Sequence, residues 1–113
     1  MATQVTSRIT EDIDWYMGAL EREWRSAVEL AANWDDADPF DKEDLAIEWD
    51  LTIDFLLRVL NFQERGLMSP EQQRRFADIR RFMCDHESDI DAVLGPGEAM
   101  IDPPREWYVT LHQ

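Results

Sequence analysis

With 113 residues and a hydrophobic content of 44% that includes five Trp and five Phe, the chain is large enough for one hydrophobic core, and its composition argues against disorder. The 25 Asp and Glu against 11 Lys and Arg give a formal net charge of −14 at pH 7. Such a charge repels phosphate backbones and anionic membrane surfaces, so we expect no direct nucleic-acid binding and no membrane binding.

Several features bear on the cellular setting. No apolar stretch approaches the roughly 20 residues of a membrane span. The N-terminus, MATQVTSRIT, lacks the basic flank and apolar run of a signal peptide. A single cysteine, Cys84, excludes an internal disulfide framework. A cytoplasmic location is therefore expected.

A first helix is predicted over residues 10–33. Apolar side chains recur there at steps of three and four residues, and Ser7 or Thr10 can provide an N-cap. Its outer face alternates charges and places Glu21 and Arg25 at the spacing of a weak surface ion pair.

Residues 34–40, WDDADPF, are predicted to form a tight acidic loop, because Asp36 and Asp38 favour turns and Pro39 disfavours helix before it. The aspartates suggest a Ca²⁺ loop. An EF-hand requires glycine at its sixth position and glutamate at its twelfth, and neither follows when the count starts at Asp35 or Asp36. A calcium site is therefore not expected.

A second helix is predicted over residues 41–66, the most apolar segment of the chain. Asp41 is the expected N-cap, Phe40 is expected to pack on Leu45 as a hydrophobic staple, and Gly66 is the expected C-cap. Apolar stripes that include Leu51 cover more than half of its circumference, so this helix is predicted to be the buried centre of the fold. The remaining polar strip consists of Asp50, Asp54, Arg58 and Asn61, interrupted by Ile47.

Glu48 falls inside the apolar arc of this second helix. A buried carboxylate needs a partner, which Arg25 or an arginine of the third helix could supply. The alternative is that Glu48 faces a pocket or a basic residue of a partner protein.

A third helix is predicted over residues 69–94. Ser69, Pro70 and Gln72 form a capping-box pattern at its start, and the Gly95-Pro96-Gly97 segment ends it. The short connection before it predicts an antiparallel hairpin with the second helix. Its apolar seam consists of Phe76, Ile79, Met83, His86, Ile90 and Val93.

Residues 95–113 are predicted to form an irregular C-terminal arm, since Asp102-Pro103-Pro104 enforces an extended path. Met100, Ile101 and Val109 can pack back over the helices together with Trp107. The alternative is that Trp107 and Tyr108 form an exposed anchor for a partner. With no second strand-like run, no sheet is expected.

Residues that could carry chemistry are few. Neither His86 nor His112 has a glutamate three residues before it, which excludes the di-iron carboxylate class. His86 is expected to be a hydrogen-bonded residue of the core or its boundary. Cys84 stands among carboxylates, which disfavour a reactive thiolate. The chain has no phosphate-cradling glycine loop and no nucleophile elbow, so we expect neither a cofactor, a metal nor an enzyme activity.

The acidic residues are concentrated in residues 35–50 and 85–91. The second cluster would occupy the C-terminal half of the third helix, where the helix dipole disfavours acids, and this suggests a surface shaped for a cationic partner. In composition the chain is similar to bacterial immunity proteins and phage-encoded inhibitors, which are often short, acidic and helix-rich.

The sequence therefore predicts one all-α domain, 1–113: a small antiparallel bundle of three main helices with an irregular C-terminal arm. We expect an acidic inhibitor or immunity-type protein, monomer or homodimer, that engages a basic surface of a nucleic-acid-handling enzyme. The alternative is a structural or oligomerising subunit with Trp15, Trp34 and Trp107 as exposed anchors. The candidate partner-binding residues are Asp35, Asp36, Asp38, Glu43, Asp44, Glu48, Asp85, Glu87, Asp89, Asp91, Trp107 and Tyr108.

Overall fold

The computed structural model describes the backbone of residues 2–111 and the side chains of residues 8–111, so the predicted solvated position of His112 lies outside the described residues. Within that range the chain is all-α and contains no strand, as predicted. Single 3-10 turns lie at Trp34–Asp36 and Arg105–Trp107. The helices are α1 (Ala2–Ala32), α2 (Pro39–Glu64), α3 (Pro70–Asp85) and α4 (Glu87–Leu94). None of these helices is long and apolar enough to cross a bilayer.

The long helix α1 lies at the centre of the fold. The main helix contacts are those that α1 makes with α2, α3 and α4, so the prediction that the second helix is the buried centre is wrong. Helix α1 also begins earlier than predicted and continues through Ser7 and Thr10, because no proline or glycine interrupts residues 2–9. Its predicted Glu21–Arg25 ion pair is present at 3.1 Å. Its fully buried side chains are Ile13, Met17, Leu20 and Trp24.

Helix α2 runs antiparallel to α1. Trp24 of α1 meets Trp49 of α2 with ring centroids 5.2 Å apart. Tyr16, earlier in α1, meets Phe62, later in α2, at 6.2 Å. These aromatic pairs fix the register of the two helices. They also stabilise the fold by more than the burial of their apolar area alone.

Helices α3 and α4 pack on another side of α1 and run parallel to it. The side-chain amide of Gln72 donates to the carbonyl of Thr10 at 3.2 Å. Farther along, the guanidinium of Arg25 lies 4.4 Å from the ring centroid of Phe82. Helices α2 and α3 therefore run antiparallel to each other, as predicted, but they do not pack together as a hairpin, because their main contacts are with other elements.

The C-terminal arm lies between α2 and α3. The indole Nε1 of Trp49 donates to the carbonyl of Glu98 at 2.9 Å. On the other side, the Nη2 of Arg80 in α3 lies 3.7 Å from the Oδ1 of Asp102. Ala99 is buried with the core. The prediction that the arm packs back on the helices is confirmed for Met100, Ile101 and Val109, which are half-buried, and is wrong for Trp107, which is 45% exposed.

The capping residue of α2 differs from the prediction. Asp38, not Asp41, is the N-cap, and its Oδ1 accepts a hydrogen bond from the amide of Phe40 at 2.8 Å. Helix α2 starts at Pro39, because proline is favoured at the first position of a helix. The side chain of Phe40 is 76% exposed, so the predicted staple with Leu45 does not form.

In the connection between α2 and α3 the C-cap is Arg65, and the predicted Gly66 is the residue that follows it. Gly66 adopts φ 70°. Its amide donates to the carbonyl of Gln63 at 3.0 Å, and the amide of Leu67 donates to the carbonyl of Phe62 at 3.1 Å. This is a Schellman motif, which needs a left-handed residue at the position of Gly66. The capping box of α3 is confirmed: the Ser69 Oγ accepts from the Gln72 amide at 3.1 Å, and the Gln72 Oε1 accepts from the Ser69 amide at 3.0 Å.

The predicted third helix is divided at His86, whose backbone leaves helical geometry with φ −116° and ψ 11°. Met83 before the break and Ile90 after it are both fully buried, so the apolar seam continues across the break. The His86 Nδ1 lies 3.0 Å from the Asp89 Oδ2, and the ring is 4.6 Å from that of Phe82. His86 is half-buried at the boundary of the core.

Candidate functional site

The fold collects most of the acidic side chains in one half of the molecule. The second half of α1, the first half of α2, α4 and the start of the arm pack together there. We call residues 21–50 and 85–98 the acidic half. They include 16 Asp and Glu and 3 Lys and Arg, a net charge of −13, whereas the rest of the chain has 9 acidic and 8 basic residues, net −1. Nearly all of the excess charge therefore lies in the acidic half.

An open groove runs between α1 and α2 in this half. Its volume is about 310 Å³. Ala27 and Leu30 of α1 and Leu45 of α2 give it apolar side chains, and carboxylates surround them. The residues that line the groove are Glu23, Ser26, Ala27, Leu30, Asp41, Asp44, Leu45 and Glu48. The side-chain positions described here form no cluster of three or more groups that could hold a metal ion.

Glu48 lies on the surface of α2 at this groove. The prediction that it is buried within the apolar arc is wrong, because α1 covers a narrower sector of α2 than the sequence pattern indicated. No described residue forms an ion pair with Glu48, and Arg25 is paired with Glu21 instead. Glu48 therefore satisfies the alternative prediction that it faces a pocket.

The acidic turn before α2 has two kinds of carboxylate. Asp35 and Asp36 are exposed in the first turn of the 3-10 segment. Asp38 is exposed as well but serves α2 as its N-cap. Glu43 and Asp44 point to solvent one turn later. Of the predicted residues in this segment, Asp38 alone has an evident structural role.

The second acidic cluster, Asp85 to Asp91, is rearranged by the break at His86. Glu87 and Asp89 stand in the first turn of α4, where the positive end of the helix dipole favours acids. The predicted dipole cost is therefore wrong for these residues. Asp91 accepts a hydrogen bond from the amide of Ala99 at 2.9 Å and so holds the arm. Asp85 and Asp89 are exposed and Glu87 is half-buried.

An apolar face lies beside the groove on α2. Phe40 is 76% exposed, Ile47 67% and Leu51 55%. At the end of this row the ring of Trp15, 57% exposed, meets that of Phe55 edge-on at a centroid distance of 5.8 Å. The burial predicted for Leu51 is wrong, and the sequence analysis did not identify this face as a candidate site. Its signal in the sequence is the spacing of seven and four residues from Phe40 to Ile47 to Leu51.

The aromatic pair Trp107 and Tyr108 lies at the other end of α2. The Tyr108 carbonyl accepts from Asn61 at 2.7 Å, and the neighbouring Arg105 is paired with Glu64. The side-chain hydrogen bond to Glu64 raises the pKa of Arg105 above its ordinary value. Trp107 is 45% exposed and Tyr108 is half-buried. The fold therefore separates these two residues from the predicted acidic site.

Comparison of the chain with protein-family models, with curated proteins and with solved structures finds no match.

Proposed function

We propose that this chain is a non-enzymatic protein-binding module, an acidic inhibitor or immunity-type protein that engages a basic surface of a nucleic-acid-handling enzyme. The observation that carries the proposal is the charge asymmetry: a net charge of −13 in the acidic half against −1 in the remainder. In this function the carboxylates occupy positions at which the enzyme would otherwise bind phosphates.

The exposure of the carboxylates supports an external partner. Asp35, Asp36, Asp44, Glu48 and Asp85 are all exposed, and no described residue forms an ion pair with any of them. A concentrated negative surface steers a positively charged partner and raises the association rate. Partners with an acidic surface are rejected by the same charge.

A structural subunit is the second candidate, and the exposed apolar side chains of Trp15, Phe40, Ile47 and Leu51 favour it. In that case α2 would mediate self-association or assembly. Sedimentation velocity over a range of protein concentrations separates the two candidates. A monomer throughout favours the inhibitor, and a stable homo-oligomer larger than a dimer favours the subunit.

The experiment that tests the inhibitor proposal uses the tagged chain to retain partners from an extract of its native host at low salt. A nucleic-acid-handling enzyme should be retained and should be released by duplex DNA, because DNA and the acidic half would compete for one basic surface. A retained enzyme that is not displaced by an excess of duplex DNA would contradict the proposal.

A matched pair of variants locates the contact. Glu23→Gln, Asp44→Asn and Glu48→Gln together remove three charges from the groove, and we expect retention to fall at least about ten-fold, or about 1.4 kcal/mol. The control variant carries Glu11→Gln, Asp12→Asn and Glu71→Gln. It also removes three negative charges, but from residues outside the acidic half. Equal loss of binding in both variants would show that net charge alone, and not the acidic half, governs binding.

A further inference from the structure

Three exposed apolar side chains lie on one side of α2, which we call the α2 face: Phe40, Ile47 and Leu51. The half-buried Phe55 follows them, and Trp15 of α1 packs on its ring. At about 100° per residue, Phe40, Ile47 and Leu51 lie within about 40° of arc. From Phe40 to Leu51 the row extends about 16 Å along the helix. In the described part of the chain no other element covers it.

Carboxylates border the α2 face on both sides. Asp44 and Glu48 lie on the side toward the groove, and Glu43 and Asp50 lie on the other. All four are exposed, and none is ion-paired with a described residue. The nearby base Lys42 points away from the face, with its Nζ 5.0 Å from the ring centroid of Trp34. The α2 face is thus an apolar row between two negative edges.

This charge pattern determines which kind of partner the α2 face can bind. A second copy of the chain would bring its own four carboxylates against these four, and like charges in an interface oppose association. A partner with apolar side chains between two rows of Lys or Arg would cover the apolar row and pair the carboxylates together. The α2 face is therefore complementary to a basic amphipathic surface and not to itself.

The shape of the α2 face indicates a helical partner. Ile47, Leu51 and Phe55 follow one another at steps of four residues, which is the ridge that packs into the groove of a second helix. Addition of a partner strand needs a sheet edge, and the described residues contain no strand.

We propose that the α2 face is the docking site for a cationic amphipathic helix, one with an apolar stripe bordered by Lys or Arg. This inference rests on the proposed function and specifies the docking element of the basic partner. The exposed Ile47 and Leu51 supply the contact area, and the four bordering carboxylates supply orientation and selectivity.

The test uses three synthetic peptides as probes, each about 18 residues long, or about five helical turns. The first contains Leu and Lys at helical spacing, so that it forms a cationic amphipathic helix. The second has the same composition in an order without a continuous apolar stripe. The third replaces Lys by Glu. Calorimetric titration of the full chain gives affinities, and amide chemical shifts locate the binding surface.

We expect the amphipathic Leu/Lys peptide to bind at least about ten-fold more tightly than its reordered isomer, a difference of about 1.4 kcal/mol. The shifted amides should cluster in residues 40–55. The Leu/Glu peptide should not bind. The double variant Ile47→Ser and Leu51→Ser should lose that ten-fold preference, whereas Trp107→Ser, which removes an exposed apolar side chain at the other end, should keep it.

Four outcomes would overturn the inference, and the last of them would also count against the proposed function. Equal, salt-sensitive binding of the two Lys peptides would leave the proposed function standing and remove the apolar docking site. Shifts in residues 21–39 and 85–98 without shifts in residues 40–55 would likewise remove the apolar docking site and leave the proposed function standing. A stable dimer that covers residues 40–55 before any peptide is added would assign the face to a second copy. Failure of both Lys peptides to bind would count against the proposed function itself.

Discussion

Asn61 shows how a single polar residue fixes the C-terminal arm. Its side chain is fully buried, and its Nδ2 donates to the carbonyls of Tyr108 at 2.7 Å and Leu111 at 3.2 Å. The sequence pattern placed Asn61 in the water-facing strip of the second helix, and that prediction is wrong. The arm covers this position, and a contact 47 residues away in sequence cannot be read from helical periodicity.

Replacing Asn61 by Ala should destabilise the fold by about 1–3 kcal/mol, because the part-buried carbonyls of Tyr108 and Leu111 lose their donor. Urea unfolding measures this change, and limited proteolysis should show faster cleavage within residues 98–111. The control is Gln63→Ala, an exposed residue two positions farther along the same helix. An Asn61→Ala variant as stable and as protease-resistant as Gln63→Ala would show that the arm is held by other contacts.

At the scale of the elements, α3 is joined to α1 through its capping residues. Besides closing the capping box with Ser69, the side-chain amide of Gln72 donates to the Thr10 carbonyl at 3.2 Å and to the Asp14 Oδ1 at 3.1 Å. Gln72 is buried, whereas its two partners Thr10 and Asp14 are exposed, so these bonds lie at the edge of the core. One residue thus both starts a helix and positions it against the centre of the fold.

We therefore expect Ser69→Ala to lower the free energy of unfolding by about 1 kcal/mol, the usual cost of losing an N-cap. Gln72→Ala should cost more, about 2–3 kcal/mol, because it also removes the two hydrogen bonds to Thr10 and Asp14 that join α3 to α1. Ser88→Ala, at an exposed site in α4, is the control and should change stability by less than about 0.5 kcal/mol. Equal costs for Ser69→Ala and Gln72→Ala would exclude the role of Gln72 in joining α3 to α1.

Local signals in the sequence predict the all-α class and the start of α3, whereas the N-cap of α2 and the contacts between distant segments differ from the prediction. The capping box at Ser69 and the left-handed Gly66 are encoded within a few residues, so local patterns indicated both. The break at His86 was missed because the three- and four-residue steps of the apolar seam continue across it. The exposure of Leu51 and Glu48 depends on how much of α2 the neighbouring α1 covers, which periodicity does not determine.

For the molecule as a whole, the charge is divided between two unlike halves. The sequence identified both acidic clusters but could not show that they converge, because convergence follows from α4 packing beside the end of α1. The same packing separates Trp107 and Tyr108 from the acids with which they were grouped. The acidic half therefore combines like charges that repel one another in the folded state.

This repulsion predicts a dependence of stability on salt. Asp44 and Glu48 are a like-charged pair at four-residue spacing, which costs about 0.2–0.5 kcal/mol. The groove variant Glu23→Gln, Asp44→Asn and Glu48→Gln should be more stable than the unmodified chain at low ionic strength. The gain should vanish near 1 M salt, where the Debye length is about 3 Å. Thermal unfolding of both proteins at low ionic strength and near 1 M salt measures this gain in stability.

The control variant Glu11→Gln, Asp12→Asn and Glu71→Gln should show no such gain. Its charges lie in the half where acids and bases nearly balance, and Glu71 stands in the first turn of α3, where the helix dipole favours an acid. A gain in the control as large as that of the groove variant would mean that repulsion is spread evenly over the molecule.

The central claim is that the acidic half binds a basic surface. The most direct test is the affinity for the enzyme that the chain retains, measured against salt concentration for the unmodified chain and for the groove and control variants. We expect the affinity of the unmodified chain to fall at least about ten-fold from 0.05 to 0.2 M salt. The groove variant should bind more weakly and with a shallower salt dependence, and the control variant should follow the unmodified chain. An affinity that does not change with salt, or that the groove substitutions leave intact, would contradict the claim.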